Sequence, residues 1–255
     1  MKKILLAFAM LSVIATAAVA QELTVVTEEW PPYNYEENQE VTGLSTEIVK
    51  AALEKAGVAA KFGIYPWARA YKMALEDENV LIYTIIRTPE REELFKWVGP
   101  LVPSSKFSLY KLKTRADIAL QSLADAKRYR IGVMRDDSTY QFLASHGFKD
   151  DEQLEIVPSE DLNVKKLFAK RVDLICGNSI GLPERMKKIG LPYEEVEAAI
   201  FLFEQGLYMA FSKTTSDEIV AKVSKAFEEI KAEGKIEVLW KKYVKDEEQE
   251  TSYLN

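Results

Sequence analysis

Residues 84–100 read Thr-Ile-Ile-Arg-Thr-Pro-Glu-Arg-Glu-Glu-Leu-Phe-Lys-Trp-Val-Gly-Pro, a Thr-Pro turn flanked by Arg87 and Arg91 and set between two apolar runs. Just upstream, Val80–Ile85 reads as a strand buried on both faces. Two guanidinium groups leaving the end of such a strand describe a ligand-binding edge, because ligands of wound α/β sheets sit beyond the carboxyl ends of the strands.

Outward from this stretch the same rhythm repeats. Leu23–Thr27 is a short β-rich run, and Ser45–Ala56 carries Ile48, Ala51, Ala52 and Ala56 at helical spacing before Gly57 stops it. Ala60–Tyr65 reads as strand and Trp67–Glu76 as helix, so the first part predicts a parallel sheet covered by helices. A second round follows: Arg130–Val133 strand, Ser138–Ser145 helix, Leu154–Val157 strand, Asp161–Ala169 helix and Val172–Cys176 strand. Ser216–Ala232 and Ile236–Tyr243 close the chain as helices, the first with Ile219, Val223, Phe227 and Ile230 on one face.

Lys106–Leu112 and Phe201–Met209 are both extended, rich in Phe, Leu and Tyr, and separated by a self-contained α/β unit. They predict two strands crossing between lobes. The expected fold is therefore α/β and two-lobed, each lobe a mostly parallel sheet flanked by helices. Lobe one takes residues 21–109 plus 204–245, lobe two takes 110–203, and 246–255 form a polar tail.

The first twenty residues bear on compartment. Lys2 and Lys3 precede an apolar or small run from Ile4 to Val19, and Ala18-Val19-Ala20 is a small-x-small cleavage site, the pattern of a secretory signal peptide. The competing reading, a membrane anchor, needs about 20 strongly apolar residues, whereas this run is diluted with Ala, Ser and Thr. No cysteine follows the cleavage site to take a lipid, so the expectation is a soluble periplasmic protein beginning at Gln21.

Without those residues 235 of the 255 remain, enough for two lobes with their own cores. Loss of Lys2 and Lys3 leaves 32 basic against 40 acidic residues, a net charge of −8, which disfavours nucleic-acid binding. Cys176 is the only cysteine, so no internal disulfide forms; in its apolar run it reads as a small buried hydrophobe rather than a reactive thiol. His146 is the only histidine and precedes Gly147 at a helix end, where it reads as a cap. No cofactor or metal is expected: there is no second histidine or cysteine cluster, no glycine-rich phosphate loop and no Gly-x-Ser-x-Gly elbow.

Specific pieces, taken in order, resemble the periplasmic solute-binding proteins of the polar amino-acid ABC transporter type, the bacterial extracellular solute-binding protein family 3. Trp30-Pro31-Pro32-Tyr33 followed by Gly43-Leu44-Ser45-Thr46-Glu47-Ile48 resembles that family's aromatic-x-Pro-aromatic turn and glycine-led helix start. Trp67 opens the next helix as the family's aromatic does. Thr84–Pro100 resembles its strand and Thr-x-x-Arg region, Gly132-Val133 the opening of its second lobe, and Arg171-Val172-Asp173-Leu174-Ile175 its Gly-x-x-Asp-Ala run. Leu207–Lys213 is similar to its return strand. The resemblance implies the periplasmic-binding-protein, or Venus flytrap, fold. It further implies that Arg91 grips the carboxylate of a bound amino acid, and that the protein is a monomer working with an inner-membrane ABC permease or a membrane receptor. A few relatives of the fold are dehydratases, for which Glu28, Glu29 and Asp137 would supply acid and base; the reading adopted is a non-enzyme.

Five loops follow predicted strands, at Thr27–Tyr33, Pro66–Arg69, Arg87–Arg91, Arg135–Ser138 and Gly177–Ser179, and are expected to converge on one cleft. Arg91 is the candidate anion clamp, its planar fork matching a carboxylate. Arg87 either adds a second positive charge or pairs with Glu90, and Arg69 is either a third cation or part of a solvated helix face. Thr88 offers its hydroxyl and N–H to the same anion. Trp30, Tyr33 and Trp67 are candidate walls, with core packing as the competing role for Tyr33. Asp137 and Ser138 stand where the family has a Gly-Thr-Thr-like anion nest; the acids Asp136 and Asp137 either cap the helix or attract an amine. Asn178 stands where amino-acid binders of the family carry the aspartate that holds the ligand ammonium, so an ordinary amino acid requires another acid. The expected function is capture of a small polar solute, an amino acid or related carboxylate, by lobe closure for delivery to the permease; the alternative is a soluble sensor that reports to a receptor.

Overall fold

The computed structural model describes residues 22–244; the expected signal peptide and the polar tail lie outside them. Lobe one begins with β1 (Leu23–Thr27), a polar hairpin β2 (Tyr35–Glu37) and β3 (Glu40–Thr42), and α1 (Leu44–Ala56). Gly57 ends α1 in the left-handed conformation at φ 66°, its N–H returning to the carbonyls of Leu53 and Glu54, the role in which glycine carries no Cβ penalty. There follow β4 (Ala60–Ile64), α2 (Trp67–Glu76), β5 (Val80–Ile86), a 3-10 turn at Pro89–Leu94 and the long strand β6 (Phe95–Leu112). Beyond β6 come β7 (Ile131–Met134), α3 (Ser138–Ser145), β8 (Leu154–Val157), α4 (Glu160–Phe168), β9 (Leu174–Asn178) and α5 (Gly181–Lys188). The chain returns through β10 (Val196–Ser212) and ends in α6 (Asp217–Ala232) and α7 (Lys235–Tyr243).

Eight strands form one curled sheet in the order β4-β1-β5-β10-β6-β9-β7-β8. β1 runs parallel to β4 and β5, and β7 parallel to β8 and β9, so each flank is a small parallel sheet. β10 and β6 pair antiparallel with each other between the two flanks. At 17 and 18 residues these two exceed an ordinary strand, because each serves both lobes in turn. Their pairing slips register between Ala198 and Ile200, Phe201 and Phe203, and again on either side of Leu207, and such irregularities bend and twist a ribbon. The crossing segments expected at Lys106–Leu112 and Phe201–Met209 both fall within this ribbon, the first as the last seven residues of β6 and the second as the central part of β10.

Every residue of β5 is buried, as a strand covered on both faces requires. Val26, Ala70, Tyr71, Ile82 and Ile85 pack on the α2 side of lobe one. Val164, Leu167, Ile175, Leu182 and Met186 form a matching cluster under α4 and α5 in lobe two. The parallel strands of both flanks aim their carboxyl ends at the space between the lobes.

Candidate functional site

A cavity of about 70 Å³ lies at those strand ends. Lobe one contributes Glu28 and Trp30 after β1, Trp67 at the start of α2, Thr84 and Ile86 of β5, and Arg91. Lobe two contributes Asp137 and Ser138 at α3, Glu160 at α4, Cys176 and Asn178 of β9, and Arg185 of α5. A wider cleft of about 240 Å³ adjoins it, sharing Glu28, Trp67, Glu160 and Arg185 as walls.

Arg91 is 1 % exposed and spans the lobes. Its Nη1 donates to the Ile86 carbonyl at 3.0 Å in lobe one, and its Nη2 to the Asp136 carbonyl at 2.7 Å in lobe two. The rings of Trp67 and Tyr71 lie 5.3 and 5.1 Å from its guanidinium carbon. Its Nε has no hydrogen-bond partner, and burial lowers its pKa. Thr84, at φ 62°, is the extra residue where β5 and β10 change register between Tyr83 and Ile85, a bulge that places a β-branched residue in the left-handed region. Its hydroxyl is buried without a partner, and so is the Trp67 indole N–H.

Asp137 caps α3, its Oδ1 accepting from the Tyr140 N–H at 2.6 Å. Burial pushes its carboxyl up to about 6 against the opposing pull of that hydrogen bond and of Arg91. Glu160, which accepts from Asn163 Nδ2 at 3.1 Å, is pushed up to about 7 by burial and by the neighbouring Asp137. Glu28 rises to about 8, again chiefly through burial, with Arg185 opposing. Arg185 itself is committed: Nη1 donates to Asp161 at 2.5 Å and Nη2 crosses the lobes to the Glu29 carbonyl at 2.6 Å.

Asn178 works inside the protein. Its Nδ2 donates to Ser105 Oγ at 2.7 Å and to the Tyr33 hydroxyl at 3.3 Å, while its Oδ1 accepts from the Gly181 N–H at 2.5 Å. Both amide hydrogens are thus spent on neighbours. A Cβ on Gly181 would collide with the Trp30 indole and with Asn178 Oδ1, so a glycine there lets α5 close against the cavity wall.

Of the residues expected at the site, Trp30, Trp67, Arg91, Asp137, Ser138 and Asn178 line the cavity. Tyr33 is fully buried behind it, edge-on to Trp30. Arg87 points away, paired with Glu92 rather than Glu90 and resting over Trp97 and Tyr208. Arg69 is exposed and stacks 4.6 Å from the Tyr65 ring, the solvated-face reading. Thr88 begins the 3-10 turn and does not reach the cavity. Thr84, Glu160 and Arg185 were not expected there. Glu160 follows β8, whose loop belongs to the same strand-end rule, and α5, which carries Arg185, is obscured in the sequence by Gly181 and Pro183.

A cavity built at the strand ends of two lobes, bridged by a buried guanidinium, defines a two-lobed solute-binding protein. The chain belongs to the bacterial extracellular solute-binding proteins, family 3, whose pattern matches residues 23–246. It is 21% identical over 217 residues to the probable amino-acid-binding protein YxeM of Bacillus subtilis (strain 168), covering 85% of this chain and 81% of that one. It superposes on the arginine-, lysine-, histidine-binding protein ArtJ of Geobacillus stearothermophilus with a TM-score of 0.77 at 17% identity, over 89% of this chain and 96% of that one. A histidine kinase sensor domain similar to periplasmic binding proteins gives 0.78 at 16% identity, over 88% and 96%.

Proposed function

We propose that the protein captures a free amino acid outside the cytoplasm by closing its lobes over it, and hands it unchanged to an inner-membrane ABC permease. The observation that carries this reading is Arg91, whose Nε is buried without a partner in a cavity that also holds Glu28, Asp137 and Glu160. The guanidinium offers its unspent N–H groups to a carboxylate, and the carboxyl groups supply the acid that Asn178 does not. Ligand contacts from both lobes stabilise the closed form differentially, which shifts the hinge equilibrium of the β6–β10 ribbon. In this reading lobe one comprises 21–109 plus 204–245 and lobe two 110–203, the protein is monomeric, and a cleaved leader at 1–20 delivers it to the periplasm. Family membership, and relatives named as amino-acid-binding proteins, support it.

A thermal-shift panel of the twenty amino acids on ligand-stripped protein is the test: one or more raises the midpoint by mass action. Arg91→Lys keeps the charge but loses the fork, and weakens that ligand about 10- to 100-fold. No response from any amino acid would overturn the reading. The sensor fold shares the same architecture; pull-down with the neighbouring permease or receptor separates transport from signalling.

A further inference from the structure

The contacts that join the lobes extend past the cavity to its outer seam. There α5 of lobe two lies against the turn that follows β1 in lobe one, so close that a Cβ on Gly181 would strike the Trp30 indole. Arg185 and Lys188, three residues apart and therefore on one face of that helix, both reach this turn. Arg185 Nη2 donates to the Glu29 carbonyl at 2.6 Å, and Lys188 Nζ pairs with Glu29 Oε1. Glu29 Oε2 in turn accepts from the Glu36 N–H of the β2–β3 hairpin at 3.2 Å. We propose that α5 is a clasp: Arg185 and Lys188 close on Glu29 and hold the lobes together through the protein's own atoms, whether or not the cavity is filled. The inference rests on the lobe closure of the reading above and adds a device that regulates it.

Each half of the clasp is held ready by its own lobe. Asp161 of α4 takes Arg185 Nη1 at 2.5 Å, which aims the other end of the guanidinium at lobe one. Arg185 is 5 % exposed, so its bond to the Glu29 carbonyl is shielded from water. The N-terminus of α5 is fixed by Asn178, whose Oδ1 accepts from the Gly181 N–H at 2.5 Å and whose Nδ2 crosses to the Tyr33 hydroxyl of lobe one at 3.3 Å. Lys188 and Glu29 differ from Arg185 in both respects: their side chains are 44 and 31 % exposed, and neither lines the cavity. The buried arginine bond is thus the stronger part of the clasp, and the exposed ion pair is the part that salt weakens.

None of these bonds includes a ligand atom, so the clasp lowers the free energy of the closed form equally with and without ligand. An effect common to both cannot choose among ligands. It sets instead how often the lobes part, and so paces entry and release alike.

The test measures lobe separation in the ligand-stripped mature protein by pulsed electron spin resonance. Spin labels on Lys72→Cys of α2 and Lys165→Cys of α4, both exposed positions, report a distance between the lobes, while the buried Cys176 takes no label. At low salt the parent is expected to show a short, closed distance beside a long one. Lys188→Ala and Glu29→Gln each lower the short-to-long ratio about two- to fivefold, and the double substitution lowers it no further than the larger single effect, because the two act through one pair. Arg185→Met lowers the ratio about tenfold or more; the exposed pair decides the question even where that variant fails to fold. About 1 M NaCl reproduces the Lys188→Ala loss in the parent and adds little to it in the variant. An unchanged ratio in both Lys188→Ala and Glu29→Gln, losses that add in the double substitution, or a parent with the long distance alone overturns the clasp. Silence from all twenty amino acids in the thermal panel would remove the capture reading and leave these distances as they are, so the two readings fail separately.

Discussion

Burying a guanidinium to 1 % exposure is tolerable only if its N–H groups are met, and in Arg91 two backbone carbonyls from opposite lobes meet them. The Nε is left unmatched, with the Trp67 and Tyr71 rings beside the guanidinium. Asn178 serves the opposite purpose, closing three hydrogen bonds within the protein. Asn178→Ala leaves the Gly181 N–H unmet and removes the bonds that Asn178 donates to Ser105 and Tyr33, and chemical denaturation is expected to show a loss of about 2–3 kcal/mol without ligand. At this scale the sequence placed Arg91 at the strand-end cleft, and it does line the cavity there. It left Arg87 open between a second cation and a pair with Glu90, since the ion pair that Arg87 makes with Glu92 depends on the 3-10 turn that brings the two together.

Elements place these residues through small irregularities. The bulge at Thr84 turns one residue of β5 out of register. Left-handed backbone costs a β-branched residue roughly 1–2 kcal/mol, partly offset in any glycine replacement by greater freedom of the unfolded chain. Thr84→Gly is therefore expected to raise the unfolding free energy of the unliganded protein by about 0.5–1 kcal/mol while weakening ligand binding, both readable by thermal melts with and without ligand. Regular elements were legible: α2, α3, β1 and β8 fall on the ranges read from periodicity. What escaped were α5, whose Gly181 and Pro183 suggest a loop although a proline in the first turn needs no N–H partner, and the hairpin β2–β3, whose three-residue polar strands carry no alternation. Register slips, which depend on which backbone groups meet across the ribbon, leave no mark in a single strand's sequence.

The whole molecule couples the cavity to stability. Glu28, Asp137 and Glu160 have folded-state pKa values raised to about 8, 6 and 7 from ordinary values near 4. Between those limits the folded protein binds more protons than the unfolded one, so stability falls as pH rises, by up to about 1.4 kcal/mol per pH unit for each proton involved. The thermal midpoint of the ligand-free protein is expected to drop between pH 6 and pH 8.5, and saturating amino acid is expected to abolish much of that slope. A flat profile would mean that the carboxyl groups reach water. The two-lobed plan itself was legible because two extended segments flank a self-contained α/β unit, a pattern at the scale of the whole chain. The acid cluster was legible only in part, since Glu28 and Asp137 follow strands recognisable alone, while their meeting with Glu160 requires the lobes to close.

Capture of an amino acid between the lobes is tested most directly by native mass spectrometry of the protein isolated from its own cells without refolding. The expected spectrum shows the mature chain carrying one small molecule, released on unfolding and identified by fragmentation as bearing both a carboxylate and an amine. A bound anion without an amine, or a bare chain that no amino acid restores to the complex, would contradict the account.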